Sequence, residues 1–313
     1  MNVFVAGASG AIGQALVPQL VAAGYQVVAM TRSQRHVVRL RAMGAEPVVA
    51  DALDRAAVAE AVRRAQPDVI IHELTALTGM KDFKHFDREF ALTNRLRTEG
   101  TDILLAAARE VGARRFIAQS YGNWIYARTG SAAKTEDDAL DPTPPANQRE
   151  TLAAVRYLEG VVVGAEGIEG VALRYGGLYG PHTSMASDGD VAAMIRKRMF
   201  PVVGDGAGVW SFLHVADAAS ATVAAIEHGA PGVYNIADDE PALVRVWLPA
   251  YARALGARPP LRIPTWLGKL IVGEVGVSLM TQQRGESNAK AKRELGWAPS
   301  YASWREGFKG GLS

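Results

Sequence analysis

The sequence contains no cysteine among its 313 residues. Without a thiol, the chain cannot form a disulfide, use a thiolate nucleophile or bind zinc through sulfur ligands. The six histidines are scattered, and no pair has the spacing that brings two imidazoles to one metal ion from a helix or a strand. We therefore predict neither a disulfide framework nor a metal site.

The chain also has little net charge. Its 34 Lys and Arg residues are balanced by 32 Asp and Glu residues, the formal net charge is +2, and basic residues are mixed with acidic ones. Nucleic acids and acidic membrane surfaces are bound by clustered basic residues. The composition gives no support for either kind of partner, and we expect a small-molecule ligand instead.

A membrane-length hydrophobic run is missing as well. The apolar stretch "WLGKLIVGEVGVSLM" is interrupted by Lys269 and Glu274 and is too short to span a bilayer. The apolar run at the N-terminus has the length of a strand and no cationic region before it, which is not typical of a signal peptide. We expect a cytoplasmic protein.

The first half of the chain alternates short β-branched runs with longer helical patterns. The runs are almost entirely apolar, as in a parallel sheet that is covered on both faces, and they are "NVFVA", "QVVAM", "EPVVA", "DVIIH" and "RRFIAQ". The alternation predicts an α/β fold with a Rossmann-type, doubly wound parallel sheet. Strand-like pieces recur later, so we predict a Rossmann domain over residues 1–165. A smaller, discontinuous α/β substrate domain over 166–313 would send segments back to the sheet.

One short stretch, "GASGAIGQ", places Gly7, Gly10 and Gly13 three residues apart, after the first predicted strand and at the start of the first predicted helix. A glycine permits dihedrals that a Cβ would forbid and lets a ligand touch the main chain. The following helix directs free N–H groups and the positive end of its dipole to the same point. The motif predicts a site for the pyrophosphate of a dinucleotide, with a tight turn that binds nothing as the alternative.

This glycine spacing resembles that of the short-chain dehydrogenase/reductase superfamily. Further motifs are similar to its extended, epimerase/dehydratase-like members: "ADALD", "IHELTAL", "LRYGGLYGP", "GDGAGVWSFLHVADAA", "GVYNIADDEP" and "AKRELGWAP". The resemblance covers almost the whole chain and implies an NAD(P) site. The predicted cofactor contacts are Gly7, Ser9, Gly10, Ala11, Ile12, Gly13, Thr31, Arg32, Asp51, Ala52, Leu74, Thr75, Ala76, Gln119, Tyr175, Gly176 and Leu178.

The end of the second predicted strand indicates which dinucleotide binds. About twenty residues after the last motif glycine, NAD-binding proteins carry an acid for the ribose 2′-hydroxyl. Here the sequence is "TRS", with Arg32 in that neighbourhood, Ser33 as a hydrogen-bond donor and Arg35 close behind. A guanidinium pairs well with a 2′-phosphate. We predict NADP(H) in preference to NAD(H); the alternative is that Arg32 is a solvated charge at a helix start.

The resemblance also implies a catalytic Tyr, a Lys four residues later and a Ser or Thr that orients the substrate oxygen. In this chain, "TLAA" matches the family's "KLAA", which puts Asn147 at the tyrosine position and Thr151 at the lysine position. Gly122 falls where the orienting hydroxyl is expected. Asn does not titrate usefully and Thr carries no charge, so neither can supply the family's chemistry.

Other hydroxyl groups lie near the same predicted edge of the sheet. Ser120, Tyr121 and Tyr126 follow the fifth predicted strand, at the carboxyl edge where open α/β folds bind ligands. We predict that Tyr121 or Tyr126 is the proton donor and that Ser120 holds the substrate oxygen. The alternative is that either ring packs in the core, since geometry decides the role before pKa does.

Together these observations favour an NADP(H)-dependent oxidoreductase that acts on a carbonyl/alcohol pair of a small molecule with a non-standard residue set. A nucleotide-sugar epimerase/dehydratase-like enzyme and a non-catalytic NADP(H)-binding redox sensor are the alternatives. The family resemblance also suggests a homodimer through the helical segments 87–112 and 149–162, although their apolar faces would equally suit packing on the sheet.

Overall fold

The computed structural model describes residues 1–77 and 82–313. Within them the strands are, in chain order, β1 (Asn2–Ala6), β2 (Gln26–Thr31), β3 (Glu46–Val49), β4 (Val69–His72), β5 (Arg115–Tyr121), β6 (Ala133–Lys134), β7 (Glu169–Tyr175), β8 (Gly177–Tyr179), β9 (Val202–Val203), β10 (Val209–Trp210), β11 (Phe212–His214), β12 (Gly232–Ile236), β13 (Ala242–Leu243), β14 (Arg262–Ile263) and β15 (Gly285–Glu286). The α-helices are α1 (Ala11–Ala22), α2 (Val37–Ala42), α3 (Arg55–Ala65), α4 (Phe86–Arg95), α5 (Thr101–Val111), α6 (Arg149–Val163), α7 (Asp190–Arg196), α8 (Val215–Glu227), α9 (Val244–Ala254), α10 (Thr265–Thr281), α11 (Ala289–Glu294) and α12 (Trp304–Gly310).

A seven-stranded sheet forms the centre of the molecule, with the strand order β12-β7-β5-β4-β1-β2-β3. Every neighbouring pair in it is parallel. The chain winds outward from β1 in one direction and from β4 in the other, so the order reverses between these two strands. This confirms the predicted doubly wound fold, and the point of reversal is where such sheets bind ligands.

Helices cover both faces of the sheet, and β1 shows why its strands are apolar throughout. Val3 and Val5 pack in the core cluster that includes α1 and α8, whereas Phe4 and Ala6 pack in the cluster that includes α3, α5 and α6. Successive side chains of a strand point to opposite faces, so a sheet buried on both sides needs an apolar residue at every position.

A third core cluster lies outside the central sheet, in the C-terminal part of the chain. Its buried aromatic members include Trp247, Trp304, Tyr179, Tyr251 and Phe212. The short strand β12 of this half pairs with β7 in the central sheet. The domain boundary at residue 165 and the homodimer remain predictions. No α-helix of the described ranges is long and apolar enough to cross a membrane.

A buried ion pair joins the sheet to α6. The carboxylate of Glu159 on α6 accepts from Arg174 on β7 at 2.6 Å and 2.7 Å, and both side chains are almost fully buried. Ser120 on β5 donates to the same carboxylate at 2.6 Å. On the other side, Arg174 donates to the hydroxyl of Tyr126 at 2.8 Å, which in turn donates to Asn235 of β12 at 2.5 Å. The network ties three strands and one helix together.

We predict that Arg174→Met lowers the free energy of unfolding by roughly 3–5 kcal/mol, because it leaves the Glu159 carboxylate buried without its partner. The double variant Arg174→Met/Glu159→Leu removes both charges and should recover most of that loss. Urea unfolding of the single and double variants measures both effects. A double variant that is no more stable than the single one would contradict this account of the network.

Candidate active site

A continuous cavity of about 1080 Å³ opens along the carboxyl edge of the central sheet. It begins at the turn between β1 and α1, passes the ends of β2, β3, β4 and β5, and continues between α4 and the C-terminal part of the chain. Its two ends differ in chemistry. The first is lined by main chain, small residues and arginines, and the second by aromatic side chains.

The turn at the first end leaves no room for a side chain at Gly7 or Gly13. Gly7 has φ +96°, and a Cβ there would lie 2.6 Å from the carbonyl oxygen of Glu73, at the end of β4. A Cβ on Gly13 would lie 2.5 Å from the main chain of Ala8, so this glycine lets α1 pack against its own strand. Gly10 is the N-cap of α1 and has no capping side chain, which leaves the first-turn amides free for a ligand. This geometry fits a diphosphate.

Most of the predicted cofactor contacts line the cavity. They are Gly7, Ser9, Gly10, Ala11, Ile12, Thr31, Arg32, Asp51, Ala52, Leu74, Thr75, Ala76, Gln119 and Leu178. Gly13 does not, since its role is to let the helix approach the strand. Gly176 also lies outside the cavity, because it faces the carbonyl oxygen of Ser211, 3.1 Å from where its Cβ would be.

Tyr175 likewise lies below the cavity and not in its wall. Its ring is fully buried, and its hydroxyl contacts the Glu73 carboxylate at 3.0 Å and the Thr222 hydroxyl at 2.6 Å. Burial raises the pKa of Glu73 to about 8. The side chain is therefore mostly neutral at pH 7, which avoids placing a negative charge beside a turn suited to phosphates.

Two of the three predicted catalytic hydroxyls are turned away from the cavity. Ser120 donates to Glu159 and Tyr126 donates to Asn235, so both hydroxyls belong to the buried network around Arg174. Neither residue lines the cavity. The prediction that they contact substrate is corrected accordingly, since their hydrogen bonds hold the sheet and α6 together.

Tyr121, by contrast, lines the cavity and is only half-buried. Its ring centroid lies 5.5 Å from that of Trp124. Burial and the nearby Glu286 carboxyl raise the pKa of Tyr121 to about 12, with the guanidinium of Arg97 acting in the opposite direction. The phenol therefore keeps its proton at neutral pH and can donate a hydrogen bond or a proton to a ligand.

Arg97 lies behind this tyrosine, in the π-helical turn Leu96–Gly100 that joins α4 to α5. Only 2% of the side chain is exposed, and neither of its Nη atoms has a hydrogen-bond partner among the described residues. Its guanidinium lies 5.9 Å from the centroid of Phe90, which lines the cavity. Burial lowers the pKa of Arg97 to about 10, so the group remains a cation at neutral pH.

The two positions that resemble the family's Tyr and Lys hold the start of α6 in place. Asn147 donates from Nδ2 to the carbonyl oxygen of Lys84 at 2.5 Å. Thr151 donates from its hydroxyl to Asp87 at 2.6 Å and from its backbone N–H to the same carboxylate at 2.9 Å. Neither residue lines the cavity. Both side chains therefore make structural contacts, and the absence of the family's Tyr-Lys pair remains a prediction.

Three basic side chains lie together in the first half of the cavity. Arg32, Arg35 and His36 line it. Arg35 donates to Nε2 of His36 at 3.1 Å, and a guanidinium nitrogen of Arg39 lies 3.3 Å from Nδ1. Burial and these two arginines lower the pKa of His36. Arg32 and Arg35 bring two guanidinium groups to this end of the cavity.

The aromatic wall of the second half was not predicted from the sequence. Its members come from α4 and the residues just before it, the turn after β5, the segment before β9, strand β10 and α9. They are Phe83, Phe86, Phe90, Trp124, Phe200, Trp210 and Trp247. Trp210 is partly buried against the C-terminal core cluster and also lines the cavity, and its indole N–H donates to the carbonyl oxygen of Leu279 at 2.9 Å. Asn123, His182 and Gln283 add polar groups to this wall.

Comparison with known proteins places these features in context. The sequence profile of the NAD dependent epimerase/dehydratase family matches residues 3–237. A 3-diazoavenalumate denitrifying reductase of Streptomyces sp is 45% identical, over 98% of this chain and 99% of the relative. A 4-hydroxy-2-methyl-3-oxo-4-farnesyl-3,4-dihydroquinoline-1-oxide ketoreductase of Stigmatella aurantiaca is 28% identical, over 95% of this chain and 92% of the relative. The solved structure of Thermus thermophilus UDP-glucose 4-epimerase with NAD is 25% identical, with a TM-score of 0.76 over 100% of this chain and 98% of that one.

We predict that Gly7→Ala weakens NADPH binding by about tenfold or more, equal to about 1.4 kcal/mol, because the new methyl group must displace the end of β4. Gly24→Ala is the matched control, since Gly24 also has a positive φ, +86°, but no atom within 4 Å of its Cβ position. It should lose stability without losing affinity. Fluorescence titration with NADPH measures both variants, and unchanged binding by Gly7→Ala would contradict the predicted role of the turn.

Proposed function

We propose that this chain is an NADP(H)-dependent reductase of aromatic substrates. The chain belongs to the NAD dependent epimerase/dehydratase family and is an NAD(P)-dependent oxidoreductase of a small molecule. The observation that carries this proposal is the continuity of the cavity, which joins a turn suited to a diphosphate to a chamber walled by aromatic rings. NADPH, when bound, supplies a hydride.

The preference for NADP(H) is supported by the charges at the ribose end. Arg32 and Arg35 line that end, and Arg39 lies directly behind His36. Asp51 also lines the cavity, in the loop that follows β3. Its carboxylate accepts from the backbone N–H of Leu53 at 3.0 Å. Two guanidinium groups suit the doubly charged 2′-phosphate of NADP(H). The 2′-hydroxyl of NAD(H) is usually bound by a carboxylate, which neither arginine provides.

The shape and chemistry of the second half support a flat, apolar substrate. Phe86 stacks on Phe90 at 4.5 Å between ring centroids, and Trp210 lies 5.0 Å from Trp247. Aromatic walls of this kind favour stacked or edge-on contacts with another ring. Asn123 and Gln283 can orient a polar substituent by hydrogen bonding.

The first candidate for the reacting group is a diazo group, carried on the aromatic ring. When an arenediazonium cation accepts a hydride, the hydride pair forms a new C–H bond. The C–N bond breaks, and its electron pair leaves with N₂. This reaction delivers no proton to an oxygen, so it does not need the Tyr-Lys pair that Asn147 and Thr151 have replaced. The name of the 45% identical relative, a denitrifying reductase of a diazo compound, supports the same class.

The second candidate is reduction of a carbonyl group, favoured by one observation at the cavity. Tyr121 presents a protonated phenol there, and carbonyl reduction requires a proton for the oxygen as the hydride reaches the carbon. The 28% identical relative is named a ketoreductase. In this reaction Tyr121 would be the proton donor, which is not required for loss of N₂.

We predict that Arg32→Asp reverses the cofactor preference, raising the Kd for NADPH by about tenfold to a hundredfold while leaving NADH binding unchanged or tighter, because the carboxylate repels the 2′-phosphate. Arg41→Asp is the control, since Arg41 lies on the next helix, is exposed and does not line the cavity. Titrating each variant with both nucleotides measures the effect. Equal affinity of the wild-type protein for NADPH and NADH would remove the basis of the preference.

We predict that Tyr121→Phe separates the two candidate reactions. It should keep the rate of NADPH-dependent reduction of a hydroxyarenediazonium salt within about threefold. Its rate of reduction of an aryl ketone should fall by about a hundredfold or more, the usual range for loss of a general acid. Tyr157→Phe is the control, because that hydroxyl contacts Asp102 on the exposed surface.

Deuterated NADPH identifies the product directly. Transfer of deuterium to the arene carbon with release of N₂ supports the first candidate, and transfer to a carbinol carbon supports the second. If the wild-type protein consumes NADPH with neither substrate, the proposed function is wrong.

A further inference from the structure

A buried carboxyl group from the C-terminal part of the chain lies against the turn that follows β5. Glu286, on β15, is 1% exposed. Its Oε1 accepts from the backbone N–H of Asn123 at 2.5 Å, and its Oε2 is buried with no hydrogen-bond partner in the described part of the chain. Tyr121 and Asn123, on either side of Gly122, both line the cavity.

The carboxyl occupies the space that a side chain at position 122 would need. A Cβ built on Gly122 would overlap both carboxyl oxygens and the carboxyl carbon of Glu286. This is the position where the family resemblance places an orienting hydroxyl. A polar group is therefore present at that place, but it arrives from a residue 163 positions away from Asn123.

The same contacts fix the conformation of the turn. Asn123 has φ +59°, which is uncommon for a residue with a side chain. Its amide exchanges two hydrogen bonds with the main chain of Ser211, at 2.8 Å and 3.0 Å. The hydroxyl of Ser211 accepts from the backbone N–H of Glu286 at 2.7 Å. Glu286 and Ser211 thus hold Asn123 in the left-handed conformation by hydrogen bonds to its backbone N–H and to its side-chain amide.

Burial raises the pKa of Glu286 to about 8, with the Asn123 hydrogen bond and Arg174 opposing the shift and Glu136 and Asp238 adding to it. Tyr121 and Tyr126 are the other titratable groups whose pKa it raises. At pH 7 the carboxyl is mostly neutral and can donate as well as accept. Above pH 8 it would become an anion beside Tyr121.

We propose that Glu286 is a positioning residue of the active site, whose carboxyl replaces a side chain at position 122 and holds the turn that presents Tyr121 and Asn123 to the substrate. The proposal rests on the proposed function only in assuming that substrate binds beside Tyr121. Its geometric part can be tested without any turnover.

The first test is a thermal unfolding cycle of Gly122→Ala, Glu286→Ala and the double variant. Gly122→Ala should lower Tm by several degrees in the wild-type background and by much less when Glu286 is already Ala, because the clash is gone. Gly160→Ala is the matched control, since nothing lies within 4 Å of its Cβ position, and its effect should be the same in both backgrounds. An equal loss for Gly122→Ala in both backgrounds overturns the placement.

The second test compares Glu286→Gln with Glu286→Ala in NADPH binding and turnover. Gln resembles the neutral acid and keeps an oxygen for the N–H of Asn123, so it should retain kcat within about threefold, whereas Ala should lose about tenfold or more by releasing the turn. The Kd for NADPH should stay unchanged in both, because neither variant touches the β1–α1 turn. Unchanged kcat in Glu286→Ala overturns the positioning role.

The pH profile gives a readout that a purely structural role would not move. The wild-type kcat should fall as pH rises through about 8, where Glu286 ionises, and Glu286→Gln should lose this descending limb. Burial also raises the pKa of Asp238 to about 8. If the descending limb persists in Glu286→Gln, a group other than Glu286 produces it, and the proposal is overturned. If the wild-type protein has no reductase activity, the proposed function fails and the unfolding cycle alone decides for or against Glu286.

Discussion

The close approach of two backbone segments at the switch point of the sheet determines the rest of the site. The carbonyl oxygen of Glu73, at the end of β4, lies 2.6 Å from where a Cβ on Gly7 would be, so the β1–α1 turn must have bare main chain at that position. That turn frees the first amides of α1 and fixes where the cavity begins. Because β5 is the next strand beyond β4, its end lies farther along the same cavity, and Tyr121 is placed there by the sheet register.

The residues at the positions where the family resemblance implies a catalytic set make structural contacts in this chain. Asn147 and Thr151 anchor α6 to the neighbouring helix region, and Gly122 gives its space to Glu286. On the proposed function, hydride transfer would take place beside one phenol, Tyr121, which lines the cavity, with the buried cation Arg97 behind it. A reaction with a good leaving group and no oxygen to protonate makes small demands on such a site, which is why loss of N₂ fits it better than epimerisation of a sugar.

Local patterns predicted the fold and the tight glycine turn at which the cavity begins, because their causes are local. The apolar runs follow from burial on both faces of the sheet, and the glycine spacing follows from one turn. The reactive end depends on distant contacts. Ser120 and Tyr121 are neighbours on one strand, yet they point to opposite faces, and the positive φ of Asn123 ends the alternation before Tyr126. Glu286 and the aromatic wall come from separate segments of the chain, whose proximity no spacing in the sequence reveals.

The most direct test of the account is a crystal structure grown with NADP⁺ and an aryl ketone. The account predicts the diphosphate on the main chain of Gly7 to Ile12, the 2′-phosphate beside Arg32, and the aromatic ring among Phe86, Trp124 and Trp210, within reach of the Tyr121 hydroxyl. A nucleotide bound elsewhere, or a ring placed outside that chamber, would contradict it.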